Sequence, residues 1–227
     1  MSRQVWTIGD TLAWCREYLA HHDDENPKLS AEWLLAAATG LTRIELYMHF
    51  DRPLTMDERD VLRESLKRRG AGEPLQYISG EAAFRHIVVK TSRGVLIPRP
   101  ETEVLVDVVL ERLADMETPR VLEVGCGTGC IACSLAKETG AHVLATDISS
   151  EAVDCARRNV EMLGLEELVE VVERDCVNGI EESFDCLVSN PPTFPRPSLP
   201  SFRARSSASS PRSRSTGAKT GLCSSTV

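Results

Sequence analysis

The chain has 227 residues, of which 42% are hydrophobic and 26% are charged, and its formal net charge is −8. This length allows one large α/β domain, or one full domain with a smaller companion. No stretch approaches the roughly 18 consecutive apolar residues of a membrane helix. The N-terminus also lacks the apolar core of a signal peptide. We therefore expect a cytoplasmic protein that has no membrane partner.

The charge is unevenly distributed along the chain. Residues 193–227 contain five arginines, one lysine and no acidic residue, so the preceding body carries a net charge of −14. An acidic body argues against a nucleic-acid substrate, because such substrates are held largely by basic side chains that displace counterions. The eight cysteines are not expected to form a disulfide framework, since the sequence shows no secretion signal.

Residues 1–80 are predicted to form a small helical domain, an adaptor with no chemistry of its own. Ser30 is predicted to cap a helix that ends at Gly40, and Thr55 to cap a helix that runs to Gly70. An earlier helix is indicated by apolar residues at helical spacing. These residues are Leu12, Trp14, Cys15, Tyr18 and Leu19.

Residues 81–98 are predicted to form a β-hairpin linker, with its turn at Ser92–Gly94. Residues 99–192 then alternate between helices and strands, which predicts an α/β fold with a doubly wound, Rossmann-like parallel sheet. The predicted helices are 101–113, 129–139 and 150–163, and the predicted strands are 120–125, 142–147, 169–175 and 184–190. Residues 193–227 are rich in Ser, Arg and Pro, and this composition predicts a disordered tail.

An apolar strand runs into a glycine-rich turn formed by Gly125, Cys126, Gly127, Thr128 and Gly129. Glycines let the backbone approach a ligand closely, and free amides at the start of the next helix are expected to face that ligand. A dinucleotide-binding fingerprint would need a further glycine at position 130, where this chain has cysteine. The turn therefore favours S-adenosylmethionine over NAD.

Asp147 stands at the end of the next predicted strand, about 20 residues after the glycines. A carboxylate at this place can accept hydrogen bonds from two ribose hydroxyls. A helix-capping role for Asp147 is compatible with that binding role. We predict that Asp147 binds the cofactor.

The cysteine spacing also matches the cluster-binding pattern of radical enzymes that use S-adenosylmethionine. The three residues concerned are Cys126, Cys130 and Cys133. The last two fall on the helix after the turn, where small sulfur-bearing side chains suit packing against a sheet. A cluster-binding loop would need neither the preceding apolar strand nor Asp147, so we predict that the chain has no metal site.

The fourth predicted strand delivers Asn190, Pro191 and Pro192 at the end of the sheet where open α/β proteins bind ligands. The prolines restrict the backbone, so that carbonyl groups and the Asn190 amide point one way. Such a clamp can accept both hydrogens of an NH2 group and hold its nitrogen in line with a sulfonium methyl group. We predict that these three residues are catalytic.

With Gly72–Gly80, Phe84 and Val95–Glu103, this motif resembles the HemK family, the release factor glutamine methyltransferases. The resemblance covers roughly residues 10–192. It implies a helical domain, a hairpin linker and a class I methyltransferase domain. It also implies that the partner and substrate is a peptide chain release factor, methylated at the glutamine of its Gly-Gly-Gln loop. We expect the enzyme to be a monomer.

The resemblance also implies which residues bind. The cofactor would be contacted by Gly125–Gly129, Asp147, the Asp175–Cys176 turn and Asn190, and the substrate by Asn190, Pro191, Pro192 and Thr193. Many family members have an aromatic residue where this chain has Cys176, which weakens the adenine contact expected there.

The family motif continues as Asn-Pro-Pro-Tyr, whereas this chain has Thr193. If the reading frame is moved back by one base, each codon begins with the third base of the preceding codon. In that frame the DNA for Thr193–Pro197 can encode Tyr-Ile-Pro-Thr-Ala. Ser213–Leu222 can likewise encode a string that resembles the family's continuation. We interpret residues 193–227 as a frameshift product. The methyltransferase domain would then be incomplete and inactive, with strand 184–190 as an edge that exposes Leu187 and Val188.

Two other functions stay open. A nucleic-acid adenine methyltransferase would share the Asn-Pro-Pro motif, but it should carry basic patches in the acidic body. A non-catalytic protein that keeps the helical domain to bind a release factor or the ribosome would explain the departure at Thr193.

Overall fold

The computed structural model describes residues 5–191, which divide into two compact units. The first unit contains the residues up to Ala83 together with Val88–Arg93. The second contains Phe84–Ile87 and the residues from Gly94 onward.

The first unit is helical, as predicted, and its first four helices begin at side chains that cap them by hydrogen bonds, whereas the short fifth helix follows Pro74 without such a cap. The helices are α1 (Ile8–Ala20), α2 (Pro27–Thr39), α3 (Arg43–Met48), α4 (Met56–Gly70) and α5 (Leu75–Ser79). Thr55 caps α4 in a capping box, and Gly40 ends α2 in the left-handed conformation, so both predictions are confirmed. The predicted cap at Ser30 is wrong. Helix α2 starts earlier because Pro27 suits its first turn and the Asn26 side chain accepts from the Leu29 amide at 3.2 Å.

Leucines from four helices fill the core of this unit. They are Leu12 and Leu19 on α1, Leu34 and Leu35 on α2, Leu46 on α3, and Leu62 and Leu66 on α4. Trp14 follows the helical spacing of α1 but lies outside this core, with its ring stacked on Tyr18 at a centroid distance of 5.4 Å. Helical spacing thus located the helix but not every buried position.

A two-stranded hairpin follows the helices, but its turn differs from the prediction. Strands β1 (Glu81–Phe84) and β2 (Ile87–Lys90) flank a turn at Arg85, which adopts a φ of 48°. The Arg85 amide donates to Glu103 Oε1 at 3.0 Å, and its guanidinium pairs with Glu138 at 2.8 Å. These distant partners stabilise a conformation that a non-glycine residue rarely adopts. The prediction of Ser92–Gly94 as the hairpin turn is therefore wrong, although Arg93 and Gly94 do form a turn that follows β2.

The second unit has the predicted α/β alternation, and each element lies within a few residues of its predicted bounds. It comprises α6 (Pro100–Leu113), β3 (Arg120–Val124), α7 (Cys130–Thr139), β4 (His142–Asp147), α8 (Ser150–Leu163), β5 (Val169–Glu173) and β6 (Cys186–Ser189). The strands are parallel, in the order β5-β4-β3-β6. The chain winds outward from β3 to β5 and then returns to the other side of β3. This reversal places a topological switch point between β3 and β6, and the predicted fold class is confirmed.

Strand β6 lies at the edge of the sheet within residues 5–191. Its side chains alternate between faces, so that Leu187 is 38% exposed while Val188 is 1% exposed. The predicted exposure is therefore correct for Leu187 and wrong for Val188. No helix in the described part of the chain is long and apolar enough to cross a membrane.

Candidate active site

The carboxyl ends of β3, β4 and β6 bring three of the predicted site residues to one edge of the sheet. Val124 pairs in register with Thr146 on one side and with Ser189 on the other. The next residue along each strand is Gly125, Asp147 or Asn190. Neighbouring strands lie about 5 Å apart, so these residues form one compact cluster.

The glycine turn has a backbone that few other residues could adopt. Gly125, Gly127 and Gly129 have φ values of 76°, 55° and 73°. A Cβ atom added to Gly125 would have no heavy atom within 4 Å, whereas one on Gly129 would lie 3.0 Å from Cβ of Ala156. Gly125 therefore leaves an open face on which a ligand can lie, and Gly129 allows α8 to pack against the turn.

Hydrogen bonds from inside the protein brace this turn. The amides of residues 125 and 126 both donate to the Thr146 carbonyl oxygen, at 2.8 and 3.0 Å. The Gly127 amide donates to Asp147 Oδ2 at 2.9 Å. The predicted free amides are those at the start of α7, and there the Ala132 amide is not free, because it donates to Glu123 Oε2 at 2.9 Å. The open backbone face is what the turn offers to a ligand.

Asp147 connects the glycine turn to the next helix. Its Oδ2 accepts from Gly127, and its Oδ1 accepts from the Ser149 amide at 3.0 Å. The cap of α8 is Ser149, whose side chain accepts from Ala152. A carboxylate offers about four lone-pair positions, so half-buried Asp147 can still accept hydrogen bonds from ligand hydroxyls.

Glu123 is a buried residue of the site that the sequence analysis missed. Its side chain is 1% exposed, and its Oε2 accepts from the Ala132 amide at 2.9 Å. This bond caps α7, whose N-cap residue Gly129 has no side chain to do so. Burial raises the pKa of Glu123 to about 8, and the nearby charge of Asp147 adds to this rise. An acidic residue inside the apolar run 121–124 was the available signal.

The three cysteines near the turn lie in the protein interior. Cys126, Cys130 and Cys133 are each buried, and burial raises the pKa of the last two thiols to about 12. Buried thiols of this kind pack as small apolar side chains. Across residues 5–191 we find no group of three or more His, Cys, Asp or Glu placed to hold a metal ion. The absence of a metal site stays a prediction.

Cys176 and Thr128, two further predicted contacts, differ in accessibility. Cys176 is exposed beyond β5, with a φ of 52°, and its carbonyl oxygen accepts from Thr146 Oγ1 at 3.3 Å. Thr128 is 2% exposed, and its carbonyl oxygen accepts from Asn159 Nδ2 at 2.8 Å. Cys176 can therefore meet a ligand through its side chain, whereas the Thr128 side chain cannot do so without rearrangement.

Asn190 follows β6 and is held by the second unit itself. Its Nδ2 donates to Oγ1 of Thr102, in the first turn of α6, at 2.9 Å. Pro191 is exposed. Pro192 and Thr193 lie outside the described residues, so the structure provides no geometry for their predicted roles.

Comparisons with known proteins agree with this architecture. Residues 10–80 match the PrmC N-terminal domain, and residues 100–196 match the methyltransferase small domain. The release factor glutamine methyltransferase of Chlorobaculum tepidum is 40% identical over 203 residues, spanning 85% of this chain and 69% of that protein. The same enzyme of Geobacter sulfurreducens is 39% identical, spanning 96% and 76%. That of Rhodopirellula baltica is 41% identical, spanning 82% and 66%.

The chain belongs to the release factor glutamine methyltransferase family. This confirms the family that the motifs indicated. It also confirms that the chain's class is that of the S-adenosylmethionine-dependent methyltransferases rather than the NAD enzymes.

The residues present fit this cofactor. The open face of Gly125 would be filled by any larger side chain, and Asp147 keeps acceptor capacity beside it. Cys176 is accessible at the same edge of the sheet.

Proposed function

We propose that this chain has the architecture to transfer a methyl group from S-adenosylmethionine to a glutamine side-chain amide. The acceptor would be the glutamine of the Gly-Gly-Gln motif in peptide chain release factors. One observation supports this most. Asn190 leaves β6 beside the glycine turn that leaves β3, across the switch point of the sheet. An amide held at Asn190 would thus lie next to a ligand held on Gly125.

The proposed chemistry depends on positioning. S-adenosylmethionine supplies an electrophilic methyl group on a sulfonium. Asp147 would accept the ribose hydroxyls, and the open backbone at Gly125 would carry the ligand on the glycine turn. Oδ1 of Asn190 would accept one hydrogen of the substrate NH2 group, and the backbone carbonyl at Pro191 would accept the other. Two such acceptors would hold the weakly nucleophilic nitrogen in line with the methyl group that it attacks. Fixing this orientation before the reaction lowers the entropic part of the activation barrier.

We also propose that the helical unit contacts the release factor. Ile44, Tyr47 and Met48 on α3 are exposed by 75%, 51% and 72%. Exposed apolar side chains grouped on one short helix suit a protein partner better than a nucleic acid. Cross-linking of a complex between this chain and a release factor should map contacts to α3.

Calorimetry and a methyl-transfer assay test the proposed function. The chain should bind S-adenosylmethionine and not NAD. An enzyme with the restored reading frame should transfer labelled methyl groups to a release factor and not to DNA. Transfer to DNA would support the adenine methyltransferase alternative. Release-factor binding without any cofactor binding would support the non-catalytic alternative.

The departure at Thr193 motivates one more proposal. We propose that residues 193–227 are translated out of frame, and that the chain as given is inactive for that reason. The support is the shifted decoding, which restores a tyrosine after Pro192. Sequencing the DNA around the codons for Pro191 and Pro192 tests this proposal. An unshifted reading frame there would show that residues 193–227 are the true translation product and would contradict it.

A further inference from the structure

Thr102 belongs to the Val95–Glu103 segment, which carried much of the family resemblance but received no role in binding or chemistry. The residue lies in the first turn of α6 and is 6% exposed. Its Oγ1 accepts a hydrogen bond from Nδ2 of Asn190 at 2.9 Å, although the two residues are 88 positions apart in the chain.

We propose that Thr102 is a positioning residue that holds the Asn190 amide by its nitrogen, so that the oxygen faces the substrate. This inference rests on the proposed function. An asparagine side chain has two ends of almost the same shape, an oxygen that accepts and an NH2 group that donates. A substrate amide presents its own NH2 group, so it needs the oxygen. Thr102 engages the nitrogen of Asn190 and thereby leaves the oxygen to accept from the substrate.

The opposite orientation would hinder the reaction. If Nδ2 of Asn190 faced the substrate, the NH2 group of Asn190 would meet the NH2 group of the substrate amide, and neither would find an acceptor. Any hydrogen bond from Nδ2 to the substrate nitrogen would also occupy the electron pair that must attack the methyl group. Holding Nδ2 at Thr102 removes this unproductive contact.

Helix α6 makes Thr102 a rigid partner. The helix begins with Pro100, and the Thr102 amide donates to the Arg99 carbonyl oxygen at 3.0 Å. Further along, Val106 and Val109 are buried and hold the helix in the second unit. A buried hydroxyl on a fixed helix loses little entropy when it accepts a hydrogen bond, and leaving it unpaired is costly.

Nuclear magnetic resonance of the full chain tests the inference without needing turnover. The side-chain NH2 signals of Asn190 are assigned from an Asn190→Asp variant. In the wild type these protons should exchange with solvent about tenfold more slowly than those of exposed Asn178, the factor expected for one hydrogen bond of typical strength. Exchange as fast as that of Asn178 would overturn the proposal, whatever the variants do.

Two variants of Thr102 separate the hydroxyl from the packing. Thr102→Val keeps the shape and loses the acceptor, so exchange of the Asn190 side-chain NH2 should become about tenfold faster. Thr102→Ser keeps the acceptor and should restore slow exchange, which a purely structural role for the side chain would not predict. Equal exchange rates in all three proteins would contradict the proposal.

Calorimetry with S-adenosylmethionine distinguishes this inference from the proposed function. A wild-type chain that binds no S-adenosylmethionine would count against the proposed function. A wild-type chain that binds it, with Asn190 exchange unaffected in Thr102→Val, would overturn the positioning role alone.

Discussion

At the scale of single residues, two carboxylates support the glycine turn in different ways. Asp147 is half-buried and braces the turn through Gly127, while Glu123 is fully buried and caps the helix after the turn through Ala132. The accessible carboxylate is suited to ligand binding. The buried one is suited to holding the backbone, so substitutions at the two positions should have different effects.

Replacing Asp147 with alanine should weaken binding of S-adenosylmethionine by about 1–3 kcal/mol, because two ribose hydroxyls and the Gly127 amide would lose their acceptor. Isothermal titration calorimetry measures this change. Asp154→Ala, on the exposed face of α8, is the matched control and should bind as the wild type does. Equal affinity in Asp147→Ala and the wild type would rule out the ribose contact.

Glu123 should make the stability of the second unit depend on pH. Its folded-state pKa of about 8 exceeds its ordinary value of 4.5, so the folded protein binds more protons than the unfolded chain between these values. Stability should therefore fall as pH rises through this window, by at most about 1.4 kcal/mol per pH unit. The other titratable groups that face Glu123 are Asp147 and the thiols of Cys126, Cys130 and Cys133.

Urea unfolding across this pH range provides the measurement. Glu123→Gln keeps an acceptor for the Ala132 amide but does not titrate, so its stability should vary less with pH. Glu151→Gln, on an exposed position of α8, should keep the wild-type dependence. Parallel pH curves for the wild type and Glu123→Gln would show that Glu123 does not titrate in this range.

At the scale of secondary-structure elements, α8 supports the cofactor loop from behind. Ala156 is the nearest neighbour of a Cβ atom built on Gly129, at 3.0 Å. Asn159, one turn later and 0% exposed, donates from Nδ2 to the Thr128 carbonyl oxygen at 2.8 Å. Helix α8 thus packs closely against Gly129 and forms a buried hydrogen bond with the neighbouring residue, Thr128.

Replacing Asn159 with leucine should destabilise the second unit by about 1–3 kcal/mol, since the Thr128 carbonyl would be left buried without this donor. Binding of S-adenosylmethionine should weaken as well, because the turn would lose a support. Thermal unfolding and calorimetry measure the two effects. Glu161→Leu places the same side chain on the exposed face of α8 and should change neither. Unchanged cofactor affinity in a destabilised Asn159→Leu would limit this residue to a structural role.

At the scale of the whole molecule, the two units should differ in stability. The helical unit has its own core of leucines, whereas the sheet of the second unit ends at β6 within the described residues, with Leu187 exposed. An edge strand with unpaired backbone groups and an exposed apolar side chain is a site for aggregation. Further strands beyond β6 would remove both features.

Restoring the reading frame after Pro192 should therefore increase resistance to proteolysis in the second unit and create methyl-transfer activity. Limited proteolysis with mass spectrometry should show the helical unit as the more persistent fragment of the chain as given. In the restored protein, Asn190→Ala should lose most turnover while the protein stays folded. A resistant core that extends past Pro192 in the chain as given, together with measurable methyl transfer, would contradict this expectation.

The sequence by itself determined the order of elements in the second unit and the residues at its ligand-binding edge. Gly125, Asp147 and Asn190 each follow an apolar run, and strands that alternate with helices form parallel sheets whose carboxyl ends share one edge. Local patterns were sufficient because each of these positions is defined by the strand that immediately precedes it.

The tertiary structure alone decided the hydrogen-bond partners. The turn at Arg85 depends on Glu103 and Glu138, and Asn190 meets Thr102 across 88 residues. Glu123 could be noticed as an acid within an apolar strand, but its bond to Ala132 could not be predicted. A buried polar group takes the partner that packing brings within about 3 Å, and packing is set by elements distant in the chain.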